Sequence, residues 1–571
     1  MNSKDNYKLV IAYDFGTTFS GASYAFTHIT TTPEIFDIQK WPQKGGDFYP
    51  KTHTLLVYKR SNPIVMIEWG HGAKKMMLKP QAAKENIILS NFKLNLDESL
   101  QRGIAENYRS NVDIIADYLK ALHEYVLEEL SKGFAKNYDP NHFRYCLTVP
   151  AMWSDLAKYS MRKAAVKAGL VRKEDSEDRL MLISEPEAAA LYCERMCDQA
   201  NLKKGDRILI CDAGGGTVDL IVFEIINDGI QNTNRLKEVT KGIGESCGSI
   251  FLDKKFKDLL EERLGQQVRS LPAIVINSLM DQFVNNIKPE FDGLDDQYLT
   301  LPFSINLDEI DMEKDSGLDE GIMVLRADEL KKKVFDPIVD RVISLLEKQY
   351  NSIPNKELSC IFLVGGFGSS NYLYHRVQEA FSTRVNQILC PPRAALAVVR
   401  GAVYFGLNPR TVTSRISRRT YGINAGLPFD ESLDPPSSRV IRPDGSIRCT
   451  SRFLVFVRKG NLLPIDHCIR ETMFVYYGTI GATDIVLYAT DDRLEPRYVY
   501  ESGVKQVAAI SVPIPELPNV ILGERISYTV RMYFGLTEIR MEADFGAGIV
   551  HKLRCNFDAD DKYDDENQAI C

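Results

Sequence analysis

The sequence predicts an α/β protein with two related lobes, followed by a β-rich domain. Three observations support this prediction. A strand–turn–strand pattern with an aspartate before a glycine turn occurs twice, in residues 8–26 and 207–225. Up to about residue 407, strand-like apolar runs alternate with helical patterns, which is typical of sheets covered by helices. Residues 453–542 consist of short apolar runs separated by Gly, Pro or Asp, which is typical of antiparallel sheets.

The two strand–turn–strand segments indicate an internal duplication. The first reads KLVIAYDFGTTFSGASYAF and the second RILICDAGGGTVDLIVFEI. In each, an apolar run ends in an aspartate (Asp14 or Asp212), a turn of Gly and Thr follows, and a second strand-like run begins. A unit repeated in this way predicts one copy in each lobe.

Helical spacing fills much of the remaining chain up to residue 407. Ser110, Ser154 and Ser370 are candidate N-caps. Strands are predicted at residues 143–150 and 360–364, and Gly365-Gly366 interrupts the chain after the second of them. The predicted helices are 110–132, 154–169, 250–264, 274–288, 328–350 and 371–382.

Composition excludes several classes of function. The 571 residues are 44% hydrophobic, with a formal charge of −7 and a pI near 5.8, which argues against a protein that coats nucleic acid. The most apolar stretch, from Ala394 to Leu407, is too short to span a bilayer and includes Arg400. The N-terminus lacks a signal-peptide core. We therefore expect a cytoplasmic protein with neither nucleic acid nor membrane as a partner.

The eleven cysteines form no CxxC pair, which argues against a disulfide framework or a structural zinc site. Cys193 and Cys197 can be read as half of a metal site or as two buried thiols, and the lack of a partner segment favours the thiols. Residues 408–419 are polar and basic, which predicts a linker rather than an anion site. A β-rich domain is predicted at 420–545, and the acidic tail at 556–571 is expected to be disordered.

The duplicated turns carry chemistry suited to a polyphosphate. Tight glycine turns present successive backbone N–H groups, which form anion-binding nests. Hard divalent cations that accompany phosphates prefer carboxylate oxygens, often through water. The break at Gly365-Gly366 suits close approach of a nucleoside. Each turn alone is more often an ordinary hairpin or helix entry, but all three in this order indicate a nucleotide site.

Four motifs, DFGTTFS, LISEPEAAALY, DAGGGTVDL and LVGGFGSSNYL, resemble those of the 70-kilodalton heat-shock protein (heat-shock 70) family, within the actin and sugar-kinase-like ATPase superfamily. The resemblance implies an actin-like ATPase domain over residues 8–407. Lobe I would span about 8–205 and lobe II about 206–407, with the last helices returning to lobe I. It also implies a substrate-binding-like β domain, ATP and Mg²⁺ as cofactors, and extended polypeptides and co-chaperones as partners.

The resemblance also implies roles for individual residues. Magnesium would be held through water by Asp14, Asp212 and Glu185. Lys93 would contact the γ-phosphate and the attacking water, although a surface lysine is an alternative, and Glu185 can also be read as a carboxylate favoured at a helix N-terminus. The implied catalytic residues are Lys93, Glu185, Asp212 and Thr217. The implied ATP contacts are Asp14, Gly16, Thr17, Thr18, Phe19, Gly214, Gly215, Gly216, Thr217, Gly365, Gly366 and Phe367.

The sequence departs from the family pattern in several places. Phe19 stands where the family usually has a tyrosine, and the stretch after Gly366 lacks the arginine that stacks on adenine. No helical lid is expected after the β domain. The main expectation is an ATP-hydrolysing, chaperone-like protein. Two alternatives stay open, a nucleotide-binding scaffold with little hydrolysis and a small-molecule kinase of the same superfamily.

Overall fold

The structure is a computed structural model that divides into two compact units, Met1–Trp153 with Ser160–Thr411 and Ser154–Tyr159 with Val412–Cys571. The acidic tail predicted at 556–571 lies outside the described residues. The described residues are 7–28, 33–46, 49–61, 64–79, 81–96, 109–196, 199–227, 234–305, 318–319, 321–442, 445–478, 481–492, 494–517, 520–546 and 548–554.

The first sheet is built around the first hairpin, formed by strands Leu9–Phe15 and Phe19–Phe26. All seven residues of Leu9–Phe15 are buried, as expected for a continuous apolar run in a covered sheet. Asp14 lies opposite Gly21 in this hairpin. The strand order is Phe36–Asp37, Phe19–Phe26, Leu9–Phe15, Phe143–Val149 and Leu180–Ser184, with Thr52–His53 also paired to Phe19–Phe26.

The second sheet repeats this arrangement around the second hairpin, formed by strands Arg207–Ala213 and Val218–Asn227. Here Asp212 lies opposite Asp219, so the two predicted hairpins share one register and the duplication is confirmed. Within the first unit the strand order is Gln387–Leu389, Cys360–Val364, Arg207–Ala213, Val218–Asn227 and Asn234–Glu245. The first unit also contains two small three-stranded sheets. One has the order Val65–Trp69, Leu55–Lys59 and Asn86–Ser90, and the other has the order Gln297–Thr300, Ile322–Leu325 and Leu318–Asp319.

The predicted helices are present, and their caps behave as the sequence indicates. Ser110 Oγ accepts a hydrogen bond from the backbone N–H of Asp113 at 3.1 Å. Two long predicted helices each contain one π-helical segment, Phe283–Ile287 and Lys331–Phe335. The α-helices are Gly70–Met77, Ala82–Glu85, Asn111–Ser131, Asp155–Lys167, Glu185–Glu194, Ile250–Leu264, Ala273–Gln282, Lys288–Glu290, Ala327–Leu330, Asp336–Asn351, Gly365–Gly368, Asn371–Phe381 and Ala397–Leu407.

Helix Ala397–Leu407 packs closely against both the first sheet and helix Glu185–Glu194. A Cβ on Gly401 would overlap the backbone of Ala188, and the carbonyl of Gly406 accepts a hydrogen bond from Arg144 at 2.9 Å. Small residues therefore allow the helix backbones to approach. In the part of the chain that the structure describes, no helix is both long enough and apolar enough to cross a bilayer.

The second unit contains two antiparallel sheets, and one apolar cluster takes side chains from both, including Leu487, Val512 and Met532. Within residues 408–419, predicted as a linker, the structure instead has the strand Val412–Ile416, which pairs with Leu462–Pro464. The five-stranded sheet has the order Arg439–Ile441, Ile447–Val457, Thr420–Pro428, Ala482–Thr490 and Val504–Pro513. The four-stranded sheet has the order Cys468–Tyr476, Arg525–Tyr533, Arg540–Asp544 and Val550–Arg554.

Candidate functional site

The turns of the two hairpins face each other across the first unit. A Cβ placed on Gly215 would overlap the Thr18 side chain, and one placed on Gly216 would overlap the Thr17 side chain. Glycine is therefore required for the two turns to approach this closely. The structure brings together the two predicted phosphate-binding turns, although they lie far apart in sequence.

The backbone of the second turn is oriented by the start of helix Ile250–Leu264. The carbonyls of Gly214, Gly215 and Gly216 accept hydrogen bonds from the backbone N–H groups of residues 248–250 at 3.1, 2.9 and 3.1 Å. In a planar trans peptide the next N–H points the opposite way. The N–H groups of Gly215, Gly216 and Thr217 therefore point away from that helix, as a nest for an anion requires.

Two further glycines hold backbones against this turn. A Cβ on Gly248 would overlap the Gly215 carbonyl, so only glycine allows the helix start to reach the turn. Gly365 has φ +85°, and a Cβ there would lie 2.8 Å from Oδ1 of Asp212. The predicted break after strand Cys360–Val364 is thus a left-handed position, and it lies beside the second hairpin.

Buried carboxylates and lysines form a cluster next to the turns. Its members are Asp14, Glu185, Asp212, Asp219, Lys51 and Lys93, and all six are buried. Lys51 Nζ lies 2.6 Å from Oδ2 of Asp14, and Lys93 forms an ion pair with Glu185. Carboxylates outnumber ammonium groups two to one, so the cluster is suited to receive a further positive charge.

The electrostatics of the cluster follow from burial and from repulsion between acids. Burial, with the fields of Asp14 and Asp219, raises the pKa of Glu185 from 4.5 to about 7, against the opposing effect of Lys93. Burial and the neighbouring carboxylates also raise the pKa of Asp212 well above its usual range. Burial lowers the pKa of Lys51, but the Asp14 carboxylate together with Tyr49 and Asp212 more than offsets this, and the net shift is upward.

Lys93 is a buried residue, and the alternative of a surface lysine is wrong. It is 2% exposed and lies in the short 3₁₀ helix Phe92–Leu96. Its Nζ lies 5.9 Å from the centre of the Phe15 ring and 5.7 Å from that of Trp153, within cation–π range. Glu185 is the first residue of its helix, as the helix-N-terminus interpretation predicts, and it is also a member of the cluster.

The remaining predicted contacts differ in what their side chains can do. The Phe19 ring packs against Tyr49 and His53, with centroids 4.7 and 4.6 Å apart. Phe19 lacks the hydroxyl of the tyrosine that is usual at its position. The Tyr49 hydroxyl, however, lies 3.2 Å from the position of a Cβ on Gly366, so a tyrosine hydroxyl is present close to this glycine. The Phe367 side chain belongs to the apolar core, which leaves only its backbone for contact with a ligand.

Among the described residues, no group of three or more His, Cys, Asp or Glu side chains is arranged to hold a metal ion directly. The donor set fits a cation that comes with phosphates and is held through water near Asp212 and Asp219, where acids repel each other. It does not fit coordination by Asp14 Oδ2, which Lys51 contacts. Cys193 is a buried free thiol, as predicted, and Cys197 lies outside the described residues.

The sequence reasoning missed Asp219, Lys51, Gly248 and Tyr49. Asp219 could have been found, because a hairpin turn over residues 214–217 places it opposite Asp212. Gly248 precedes a helix, which is a weak signal at most. Lys51 and Tyr49 lie in a stretch, DFYPKTHT, that carries no motif, so only the fold brings them to the site.

A family model described as Hsp70 protein matches residues 84–407, which is more than half of the chain. This chain belongs to the Hsp70 family. The matched range includes Lys93, Glu185, the second hairpin and Gly365, so the Hsp70 match covers much of the candidate site.

Two curated relatives match along most of the chain, and a third matches about half of it. Heat shock 70 kDa protein 12A of Homo sapiens is 26% identical over 95% of this chain and 90% of its own length. Heat shock 70 kDa protein 12B of Homo sapiens is 26% identical over 94% of this chain and 89% of its own length. Chaperone protein dnaK of Cyanidium caldarium is 26% identical over 49% of this chain and 42% of its own length. These relationships support a nucleotide-binding, Hsp70-like protein with a mixed α/β fold.

Proposed function

We propose that the chain binds ATP with magnesium between the two opposed turns and hydrolyses it. The observation that carries this proposal is the approach of Thr17 and Thr18 to Gly216 and Gly215 beside a buried cluster of acids and lysines. Two nests that face each other grip a polyphosphate from both sides. The same cluster supplies fixed charges in a site with little water, where electrostatic stabilisation is strongest.

Four residues of the cluster have a direct role in this proposal. The N–H groups of the second turn and the Lys93 ammonium stabilise the charge that develops on the γ-phosphate. Glu185 leaves Lys93 when the nucleotide arrives and orients the attacking water. Asp212 and Asp219 hold the hydrated magnesium, which neutralises phosphate charge when it is bound. Phosphoryl transfer needs mainly positioning and electrostatics, which these groups provide.

We further propose that residues 420–545 bind extended polypeptide by strand addition. Support comes from the strand Arg439–Ile441, which forms one edge of the five-stranded sheet and has all three residues exposed. Val440 and Ile441 are apolar. An exposed edge offers main-chain hydrogen bonds to an added strand, and apolar side chains choose its sequence.

The proposal that the chain binds and hydrolyses ATP is tested by nucleotide binding and by single-turnover hydrolysis on the full chain. ATP affinity is measured by calorimetry with magnesium, and phosphate release is followed with enzyme in excess, without any acceptor molecule. We expect saturable binding and phosphate release, both lowered in Asp212→Asn. Binding with no phosphate release would refute hydrolysis, and release only after a sugar or acid is added would indicate a kinase.

A nucleotide-binding scaffold is the second candidate, and one observation favours it. Lys93 and Glu185, the two groups assigned to hydrolysis, are already paired with each other. If this pair persists with nucleotide bound, neither group reaches the γ-phosphate or its water. Phosphate release by the parent distinguishes the two cases: an ATPase releases phosphate and loses this release in Glu185→Gln, whereas a scaffold binds nucleotide and releases no phosphate with either residue.

A further inference from the structure

Lys51 forms a buried ion pair with Asp14, one of the residues expected to contact ATP and magnesium. Its Nζ lies 2.6 Å from Oδ2 of Asp14, and both side chains are buried. Oδ1 of the same carboxylate accepts a hydrogen bond from the Thr148 hydroxyl at 3.2 Å. Both oxygens of Asp14 are therefore engaged by groups of the chain itself.

The first hairpin is shaped to admit this lysine. Gly21 lies opposite Asp14, and a Cβ on Gly21 would lie 2.9 Å from Cγ of Lys51. Thr52 pairs with Ser20, which holds the residue before it, Lys51, beside Gly21. Only a glycine at this place leaves room for the aliphatic part of the lysine side chain.

The second hairpin shows that this arrangement is not a general property of the repeat. The residue opposite Asp212 is Asp219, a carboxylate in the register position that Gly21 fills in the first hairpin. One hairpin therefore pairs its aspartate with an ammonium group from elsewhere in the chain, and the other places two acids opposite each other. The two halves of the site are charged differently.

We propose that the Lys51 ammonium is a built-in substitute for a metal cation at Asp14. A buried carboxylate that is ionised is stabilised by a cationic partner, and Lys51 supplies one that is tethered to the chain. A divalent ion at this carboxylate would have to displace it. The proposal rests on the nucleotide function above and deepens it, because it confines the divalent requirement to the Asp212 and Asp219 side of the site. Nucleotide binding then depends less on divalent cations than it would if Asp14 had no ammonium partner.

The test uses the full chain, with Lys51→Met to remove the charge and keep the stem. Gly21→Ala is a second variant, which displaces the stem without removing the charge. Lys59→Met, at an exposed position at the end of strand Leu55–Lys59, is the matched control. Circular dichroism and thermal unfolding establish that each variant is folded.

The first measurement needs no nucleotide. Mn²⁺ binding is followed by electron paramagnetic resonance, and we expect the parent and Lys59→Met to bind weakly. Lys51→Met should bind Mn²⁺ at least about tenfold more tightly, because one positive charge has left a buried acidic cluster. Gly21→Ala should change in the same direction. Equal Mn²⁺ affinity in the parent and Lys51→Met would overturn the proposal, even if ATP binds normally.

The second measurement compares ATP affinity in magnesium and in EDTA. We expect EDTA to lower the ATP affinity of Lys51→Met about tenfold more than that of the parent, with recovery in magnesium. An equal loss in both proteins would overturn the role of Lys51. If neither protein binds ATP under either condition, the proposed nucleotide function fails, and the Mn²⁺ measurement still decides whether Lys51 replaces a cation.

Discussion

Replacing Lys93 with methionine should destabilise the protein in a pH-dependent way. The variant removes the ammonium group of a buried ion pair and keeps an apolar stem of similar length. Lys93 is 2% exposed and its partner Glu185 is 7% exposed, so the carboxylate left behind has little access to water. Breaking one side of such a pair costs about 3–5 kcal/mol, because a buried charge is left without a partner.

The sign of the pH dependence follows from Glu185. Its pKa is already raised from 4.5 to about 7 by burial and by nearby acids, while Lys93 lowers it. Without Lys93 the pKa must rise further. A carboxyl whose folded pKa is raised stabilises the fold at low pH, and this contribution is lost as pH rises through the folded value. Because Glu185 of the parent has a pKa of about 7, the cost of Lys93→Met should shrink by up to about 1.4 kcal/mol for each pH unit from the new pKa down to about pH 7, and stay constant below that.

Urea unfolding of the full chain, followed by circular dichroism at pH 6 and pH 8, measures this effect. We expect the unfolding midpoint of Lys93→Met to fall more at pH 8 than at pH 6. Adding Glu185→Gln should recover much of the loss and remove most of the difference between the two pH values. Lys59→Met should behave like the parent. An equal loss at both pH values, or no recovery in the double variant, would refute the pairing of Lys93 with Glu185.

Three further predictions follow from the site and the second unit. Asp212→Asn should slow single-turnover ATP hydrolysis by about 10²–10³-fold, measured as phosphate release, while thermal unfolding shows an intact fold. Gly248→Ala should destabilise the protein by about 1–3 kcal/mol and weaken ATP binding in calorimetry, because its Cβ overlaps the second turn, whereas Gly481→Ala, which faces open space, should do neither. Val440→Lys with Ile441→Lys should weaken binding of a fluorescent unfolded peptide about tenfold, and unchanged anisotropy would exclude this edge as the peptide site.

Local features of the sequence were sufficient to predict both hairpins and most helices. An apolar run that ends in an aspartate and a glycine turn dictates a tight reversal, because glycine adopts the required backbone angles and the strands on either side pair by register. That register alone places Asp219 opposite Asp212. Ser110 and Ser370 begin their helices as capping rules predict.

Only the tertiary structure decided which charges meet. Lys51 and Asp14 are 37 positions apart, and Lys93 and Glu185 are 92 apart. Neither lysine is marked by a local pattern that names its partner. Whether a lysine is a solvated surface group or a buried counter-ion depends on the layers that close over it, and burial is what makes its charge matter. The difference in charge between the two hairpins arises in the same way, because only the folded chain places the Lys51 side chain in the space beside Gly21.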